Sequence, residues 1–228
     1  MISTELKTTI QGAYSRFLEA KSLKPRYGQR LMIAEIAKVL GDIDTDDEGR
    51  RSGDPAIVAV EAGTGTGKTV AYSLAAIPTA KAAGKRLVIA TATVALQEQI
   101  VYKDLPDLMR NSGLNFSFAL AKGRGRYMCL SKLDMLLQEG HAQTATAQLF
   151  EEEGFKIEVD EASQKLFTSM IEKLAGNKWD GDRDSWSTAL EDADWARLTT
   201  DHSQCTNRHC PNFGQCAFYK AREGMGKV

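Results

Sequence analysis

The 228 residues are 43% hydrophobic and 26% charged, enough apolar side chains for a real core, and no apolar run approaches a bilayer span of ~20 residues. With 29 lysines and arginines against 30 aspartates and glutamates the net charge is −1, so any nucleic-acid surface is local, not global. Met1 to Glu5 do not form a signal peptide, and four cysteines without one point to metal or redox chemistry in the cytoplasm and away from disulfides.

In chain order, Leu6, Ile10, Tyr14, Phe17 and Leu18 mark one face of a first helix. Met32, Ile33, Ile36, Ala37 and Leu40 mark a second, with Gly41 at its C-terminal end. Asp42 to Asp54 is a solvated polar loop. Ala56-Ile57-Val58-Ala59-Val60 suits a buried strand, and it runs straight into "EAGTGTGKT", Glu61 to Thr69. A strand that turns sharply into a helix leaves several backbone N–H groups pointing into one concavity, and glycines let a pyrophosphate approach them. Lys68 is the point charge for the β- and γ-phosphates and the Thr69 hydroxyl is a Mg²⁺ ligand, although Ala62 stands where a P-loop usually has its first glycine. The helix that follows is expected to break or kink at Pro78.

"RLVIATAT", Arg86 to Thr93, predicts a second buried strand, followed by an amphipathic helix through Leu96, Ile100 and Leu105. "FSFALAKG", Phe116 to Gly123, predicts a third strand. This is the front half of an α/β nucleotide domain with a parallel sheet. Beyond about residue 123 helical patterns dominate, with Leu166, Phe167, Met170, Ile171 and Leu174 on one face. The expected division is therefore 1–123 and 124–228.

Two short matches in the second region are better explained structurally. "VDEAS", Val159 to Ser163, imitates a Walker B strand end, but Phe155 to Val159 alternate polar and apolar, so Asp160 is expected to cap the next helix. "NKWD", Asn177 to Asp180, imitates a guanine-reading motif without a strand to deliver it.

The cysteines are more specific. Cys129 stands apart, and Cys205, Cys210 and Cys216 follow in close succession beside Pro211 and Gly214. Four thiolates hold tetrahedral Zn²⁺ or a [4Fe–4S] cluster. The absence of any C-x₂-C pair leans towards the cluster, but spacing alone leaves both open.

"RYGQRLMIAEIAKVL", "EAGTGTGKT", "TATVALQEQI", "KGRGRYMC" and the terminal cysteines together resemble the DinG group of bacterial helicases, relatives of the XPD-type iron–sulfur helicases of superfamily 2. The resemblance covers essentially the whole chain. It implies a partial RecA-like P-loop NTPase domain followed by a mostly helical iron–sulfur domain inserted within it. It also implies an ATP-dependent DNA helicase moving 5′ to 3′ on single strands, with forked or other structured DNA as partner. A monomer in the bacterial cytoplasm, serving DNA repair or replication, is the matching expectation.

Carried over to this sequence, Gln29 would read adenine with Arg26 nearby, and Gly63, Thr64, Gly65, Thr66, Gly67, Lys68 and Thr69 would hold ATP and Mg²⁺. Thr91 and Thr93 would touch the DNA backbone, and Cys129, Cys205, Cys210 and Cys216 would ligate the [4Fe–4S] cluster. The family's Walker B acid pair, second RecA-like domain and arginine finger have no counterpart here. The chain is thus expected to be an N-terminal portion of a helicase, inactive by itself. In "AKGRGRY", Lys122, Arg124 and Arg126 alternate between glycines and precede Tyr127. On an extended loop the three cations would share one side and Tyr127 could stack on a base, which makes a single-stranded DNA contact; a solvated linker is the plainer alternative. Three other classes fit parts of the sequence: a P-loop NTPase with a structural zinc domain, a non-catalytic DNA-binding or redox-sensing module, and an RNA helicase.

Overall fold

Ser3 opens the first helix, α1 (Thr4–Ala20), by accepting the Leu6 amide on its hydroxyl at 3.1 Å, the geometry that satisfies one orphan donor of a helix start. The computed structural model describes residues 2–141 and 160–225, which fall into two units, Met1–Phe118 and Ala119–Val228.

In the first unit, α1 buries Ile10, Ala13, Tyr14, Phe17 and Leu18, a helical stripe. Helix α2 (Tyr27–Gly41) sets Met32, Ile33 and Ala37 into the same core. Helix α3 (Lys68–Ala82) runs through Pro78 without the expected interruption. Pro78 withdraws one N–H from the ladder, but Ala71, Leu74 and Ala75 beside it are fully buried, and that packing carries the helix across the gap. The single helix expected through Leu96, Ile100 and Leu105 is instead three segments: α4 (Val94–Gln99), a π turn (Ile100–Asp104) and α5 (Leu105–Ser112). Pro106 sits at the start of α5, where its missing N–H costs least, and the widened turn ahead of it absorbs the change of register. Gly113, at φ 72°, ends α5 in the left-handed conformation.

The expected parallel sheet is the main correction. Residues 56–60, 86–90 and 116–121 carry no regular secondary structure and, among the described residues, form no ladder; the β-bridges are isolated ones, at Thr45–Arg51 and Tyr127–Asp182. A buried parallel strand needs a hydrogen-bonded neighbour on each side and cover on both faces. These segments lack the pairing, and Ile57 is 83% and Val88 86% exposed. Only their fringe is packed: Ile89, Phe116 and Phe118 lean on the first core.

The second unit is helical, with α6 (Leu130–His141), α7 (Glu161–Ala175), α8 (Asp192–Leu198) and α9 (Ala217–Met225). Phe167 and Met170 of α7 are fully buried with Met128, Leu133, Leu136, Trp179, Trp195 and Leu198; Leu166, Ile171 and Leu174 pack around them. Asp160 caps α7 as its position predicts, accepting the Ser163 amide on Oδ1 at 2.7 Å. Residues 155–159 of the Walker B look-alike lie outside the described residues. Trp179 of the guanine-motif look-alike is a core side chain whose Nε1 donates to the Asp182 carbonyl at 2.8 Å. Among the described residues no helix is long and apolar enough to cross a membrane.

Candidate functional site

The glycine-rich loop meets α3 at Gly67, which is left-handed at φ 79° and ψ 36° and is the helix N-cap. Gly65, at φ 73°, makes the other turn of the loop. Between them Thr66 donates its hydroxyl proton to the Gly63 carbonyl at 2.9 Å, and Thr64 and Gly65 stand exposed at the crown. Lys68 folds back over the loop and donates to the Ala62 carbonyl at 2.8 Å and the Gly63 carbonyl at 2.9 Å. An ammonium parked on two neutral carbonyls can leave them for phosphate oxygens, which are stronger acceptors. Thr69 begins the first turn of α3 beside it. Helix start, glycine loop and lysine together form an anion cradle.

Two side chains from the segment before and within α2 are tied to this loop. The Arg26 guanidinium donates to the Gly65 carbonyl at 2.8 Å, and Gln29 donates from Nε2 to the Gly67 carbonyl at 3.2 Å. A Cβ on Gly67 would collide with Gln29 Nε2 and push that side chain aside, while the left-handed backbone is what calls for glycine. Tyr14, 7% exposed on α1, donates its hydroxyl proton to Gln29 Oε1 at 2.9 Å and accepts the Arg26 amide at 3.4 Å. Tyr14 entered the sequence reading only as an apolar-face residue; the signal that it does more is the rule that a buried tyrosine hydroxyl finds a partner.

Thr91 and Thr93 serve the start of α4. Thr93 is its N-cap and accepts the Leu96 amide at 3.2 Å; Thr91 donates to the Thr93 carbonyl at 3.2 Å.

In the second unit all four cysteines line one pocket, with Arg124, Asn212, Phe213, Phe218 and Tyr219 around them. The first ligand candidate is held by backbone, independent of any metal. The Met128 amide donates to the Gly181 carbonyl at 2.9 Å and the Cys129 amide to the Leu198 carbonyl at 2.7 Å. Burial pushes the Cys129 thiol up, against the opposing pull of the Lys132 and Ser131 amides. Ser131 Oγ lies 3.2 Å from Cys210 Sγ, and the Asn207 amide donates to Cys205 Sγ at 3.4 Å. Asn212 ties this rim to α6 through Ser131 at 3.3 Å and Asp134 at 2.9 Å. The donor set of four thiols, three of them already furnished with hydrogen-bond partners, fits a thiolate-ligated group. Among the described residues no three Cys, His, Asp or Glu side chains stand as a site for a single metal ion.

The stretch "KGRGRY" differs from the extended cationic loop expected of it. Arg124–Arg126 is a 3₁₀ turn, which removes the alternation that would put three cations on one side. The Lys122 ammonium is buried, its side chain 3% exposed, 2.5 Å from Asp182 and 2.8 Å from Asp184. Arg126 pairs with Asp184 as well. Arg124 lies over the Phe218 ring at 4.4 Å; burial opposes its charge, but the Tyr219 hydroxyl and the Cys205 and Cys216 sulfurs outweigh that and raise its pKa. Tyr127 is buried edge-on against Phe218, centroids 5.8 Å apart, and does not offer a face for a base. Asp182 and Asp184 lie about 60 residues downstream of Lys122, and no local pattern announces them.

Residues 49–153 match the DEAD/DEAH box helicase family. The chain is 39% identical over 229 residues to the "ATP-dependent DNA helicase DinG" of Photobacterium profundum, covering 100% of this chain and 31% of that protein. It is 37% identical over 222 residues to the protein of the same name in Escherichia coli (strain K12), 97% of this chain and 29% of the relative. For that of Salmonella typhimurium (strain LT2) the identity is 39% over 198 residues, 87% and 26%.

Over nearly its full length the chain is similar to these DinG helicases. It spans about a third of the length of these curated relatives. A DEAD/DEAH helicase domain implies a RecA-like fold, and the matched residues include the glycine loop, α3 and α4.

Proposed function

We propose that this chain forms the nucleotide-binding and cluster-bearing portion of an ATP-dependent DNA helicase that travels 5′ to 3′ on single-stranded DNA and engages forked duplexes in the bacterial cytoplasm. The observation that carries the reading is the attachment of Arg26 and Gln29 to the P-loop carbonyls, which brings a base-reading amide to the phosphate cradle. The printed names of the relatives support DNA and ATP as partner and fuel.

On this reading the triphosphate displaces the Ala62 and Gly63 carbonyls from Lys68, and the ammonium moves onto the β- and γ-phosphate oxygens. The amides at the start of α3 hold the phosphates while Thr69 offers its hydroxyl to Mg²⁺. Thr91 and Thr93, at the exposed start of α4, are the residues proposed to meet the DNA backbone. Cys129, Cys205, Cys210 and Cys216 would hold the [4Fe–4S] cluster, which when bound ties together four points of the second unit and supplies a one-electron couple. Arg124 and the Ser131 and Asn207 groups temper the sulfur charge.

The test is strand displacement by this chain joined to the remaining two thirds of the Photobacterium relative. Duplexes with a 5′ single-stranded tail should open with ATP, those with a 3′ tail should not, and Lys68→Ala should abolish opening. Opening of 3′-tailed duplexes would reverse the polarity. ATP-independent DNA binding unchanged by Lys68→Ala, with no opening, would favour a non-catalytic module instead.

A further inference from the structure

The Gln29 amide is held from two directions. Its Nε2 donates to the Gly67 carbonyl at 3.2 Å, and its Oε1 accepts the Tyr14 hydroxyl at 2.9 Å. The hydroxyl is committed in turn, because it accepts the Arg26 amide at 3.4 Å and so has its proton free to give to Gln29. Tyr14 itself cannot drift: its ring is 7% exposed and sits in the core with Ile10, Phe17 and Ile33. Turning the amide over would set Oε1 against the Gly67 carbonyl, two acceptors facing each other, and would present NH₂ where Oε1 now accepts the tyrosine proton.

We propose that Tyr14 is a positioning residue for nucleotide selection: it fixes the orientation of the Gln29 amide so that the site takes adenine nucleotides and rejects guanine nucleotides. This rests on the reading of the glycine loop as an ATP site. After both internal bonds are made, Gln29 keeps one N–H and one oxygen lone pair. That donor and acceptor match the N7 acceptor and N6 donor of adenine, the usual bidentate partner of a glutamine. Guanine presents acceptors at both N7 and O6, so the same oriented amide sets its oxygen against O6. An amide free to turn presents two N–H groups or a mixture, and loses the distinction.

The experiment uses the 228-residue chain with Tyr14→Phe, which removes the hydroxyl and keeps the buried ring. Equilibrium binding is measured for ATP, GTP and inorganic tripolyphosphate, with Lys68→Ala alongside. The preference for ATP over GTP should fall about fivefold in Tyr14→Phe, the worth of one lost hydrogen bond, with tripolyphosphate affinity and thermal midpoint close to the parent. Gln29→Ala should bring the preference near unity, and adding Tyr14→Phe to it should change nothing further. An unchanged ATP-to-GTP ratio in Tyr14→Phe overturns the proposal. So does an equal loss for all three ligands, which would mark Tyr14 as a general support of the loop. A parent that binds none of them, or a Lys68→Ala variant that binds all of them as the parent does, refutes the nucleotide reading beneath it and is recognised separately.

Discussion

Lys122→Met removes the central cation of a buried cluster and should destabilise the second unit by about 3 kcal/mol. The ammonium side chain is 3% exposed, and its two partners, Asp182 and Asp184, are 11% and 13% exposed at 2.5 and 2.8 Å. Deleting one partner of a buried pair generally costs about 3–5 kcal/mol, because a charge is left without compensation. The low end applies here for two reasons. Asp184 keeps Arg126, and Asp182 can escape by taking up a proton. Burial already raises the Asp182 pKa even with Lys122 pulling the other way. Removing Lys122 raises it further, so the deficit is largest at neutral pH and shrinks as pH falls through the Asp182 titration. The assay is urea unfolding followed by tryptophan fluorescence, which reports this unit alone, since Trp179, Trp186 and Trp195 all lie within it. Lys122→Met combined with Asp182→Leu should recover most of the loss. A change below about 1 kcal/mol in the single variant would put Lys122 in solvent, in the range of exposed ion pairs, and refute the buried-cluster reasoning. It would also return the residue to the cationic DNA patch that its sequence context predicts.

Three further outcomes follow from the same geometry. Cys210→Ser should release bound iron yet leave the tryptophan spectrum native-like, because the Met128–Phe167–Trp195 core and the Cys129 backbone bonds involve no sulfur ligand; collapse of the spectrum would show the cluster to be indispensable to that core. The 228-residue chain should bind ATP and lose that binding in Lys68→Ala, but should not turn ATP over with or without single-stranded DNA, since among the described residues no carboxylate is bonded to Lys68 or Thr69; DNA-stimulated phosphate release that vanishes in Lys68→Ala would contradict this. The Ser163 amide holds the Asp160 carboxylate below its ordinary pKa, so the cap strengthens the fold above the normal carboxylate range and is lost as pH falls through the lowered value; Asp160→Asn should remove that part of the acid dependence in pH-resolved unfolding.

What could be read in advance was set by local spacing. The buried faces of α1, α2 and α7 follow from residues three and four apart, and Asp160 declares itself as a cap by preceding an apolar helical run. The turn from Gly67 into α3 follows from glycines, a lysine and a threonine in a fixed order. The misreadings share a different cause, dependence on partners distant in sequence. Residues 56–60 have strand composition, but a strand exists only with a neighbour to pair with. Lys122, Arg124 and Arg126 look like a cationic row until Asp182 and Asp184 claim two of them and an aromatic face claims the third. Tyr14 shows the same limit from the other side: its place in the core was visible, whereas its hydroxyl partner, Gln29, depends on how α1 and α2 each pack on α3. Pro78 marks the remaining case, where burial on both sides outweighs a propensity that by itself would end the helix.

The central claim joins a nucleotide loop to a cluster-bearing unit, and its least generic part is the chemistry of the four pocket cysteines. Metal and acid-labile sulfide content of the anaerobically purified 228-residue chain tests it most directly. The account predicts brown protein with about four irons and about four sulfides per chain, as a cubane cluster requires, and with both falling away in Cys210→Ser. Colourless protein carrying one zinc and no sulfide would contradict it.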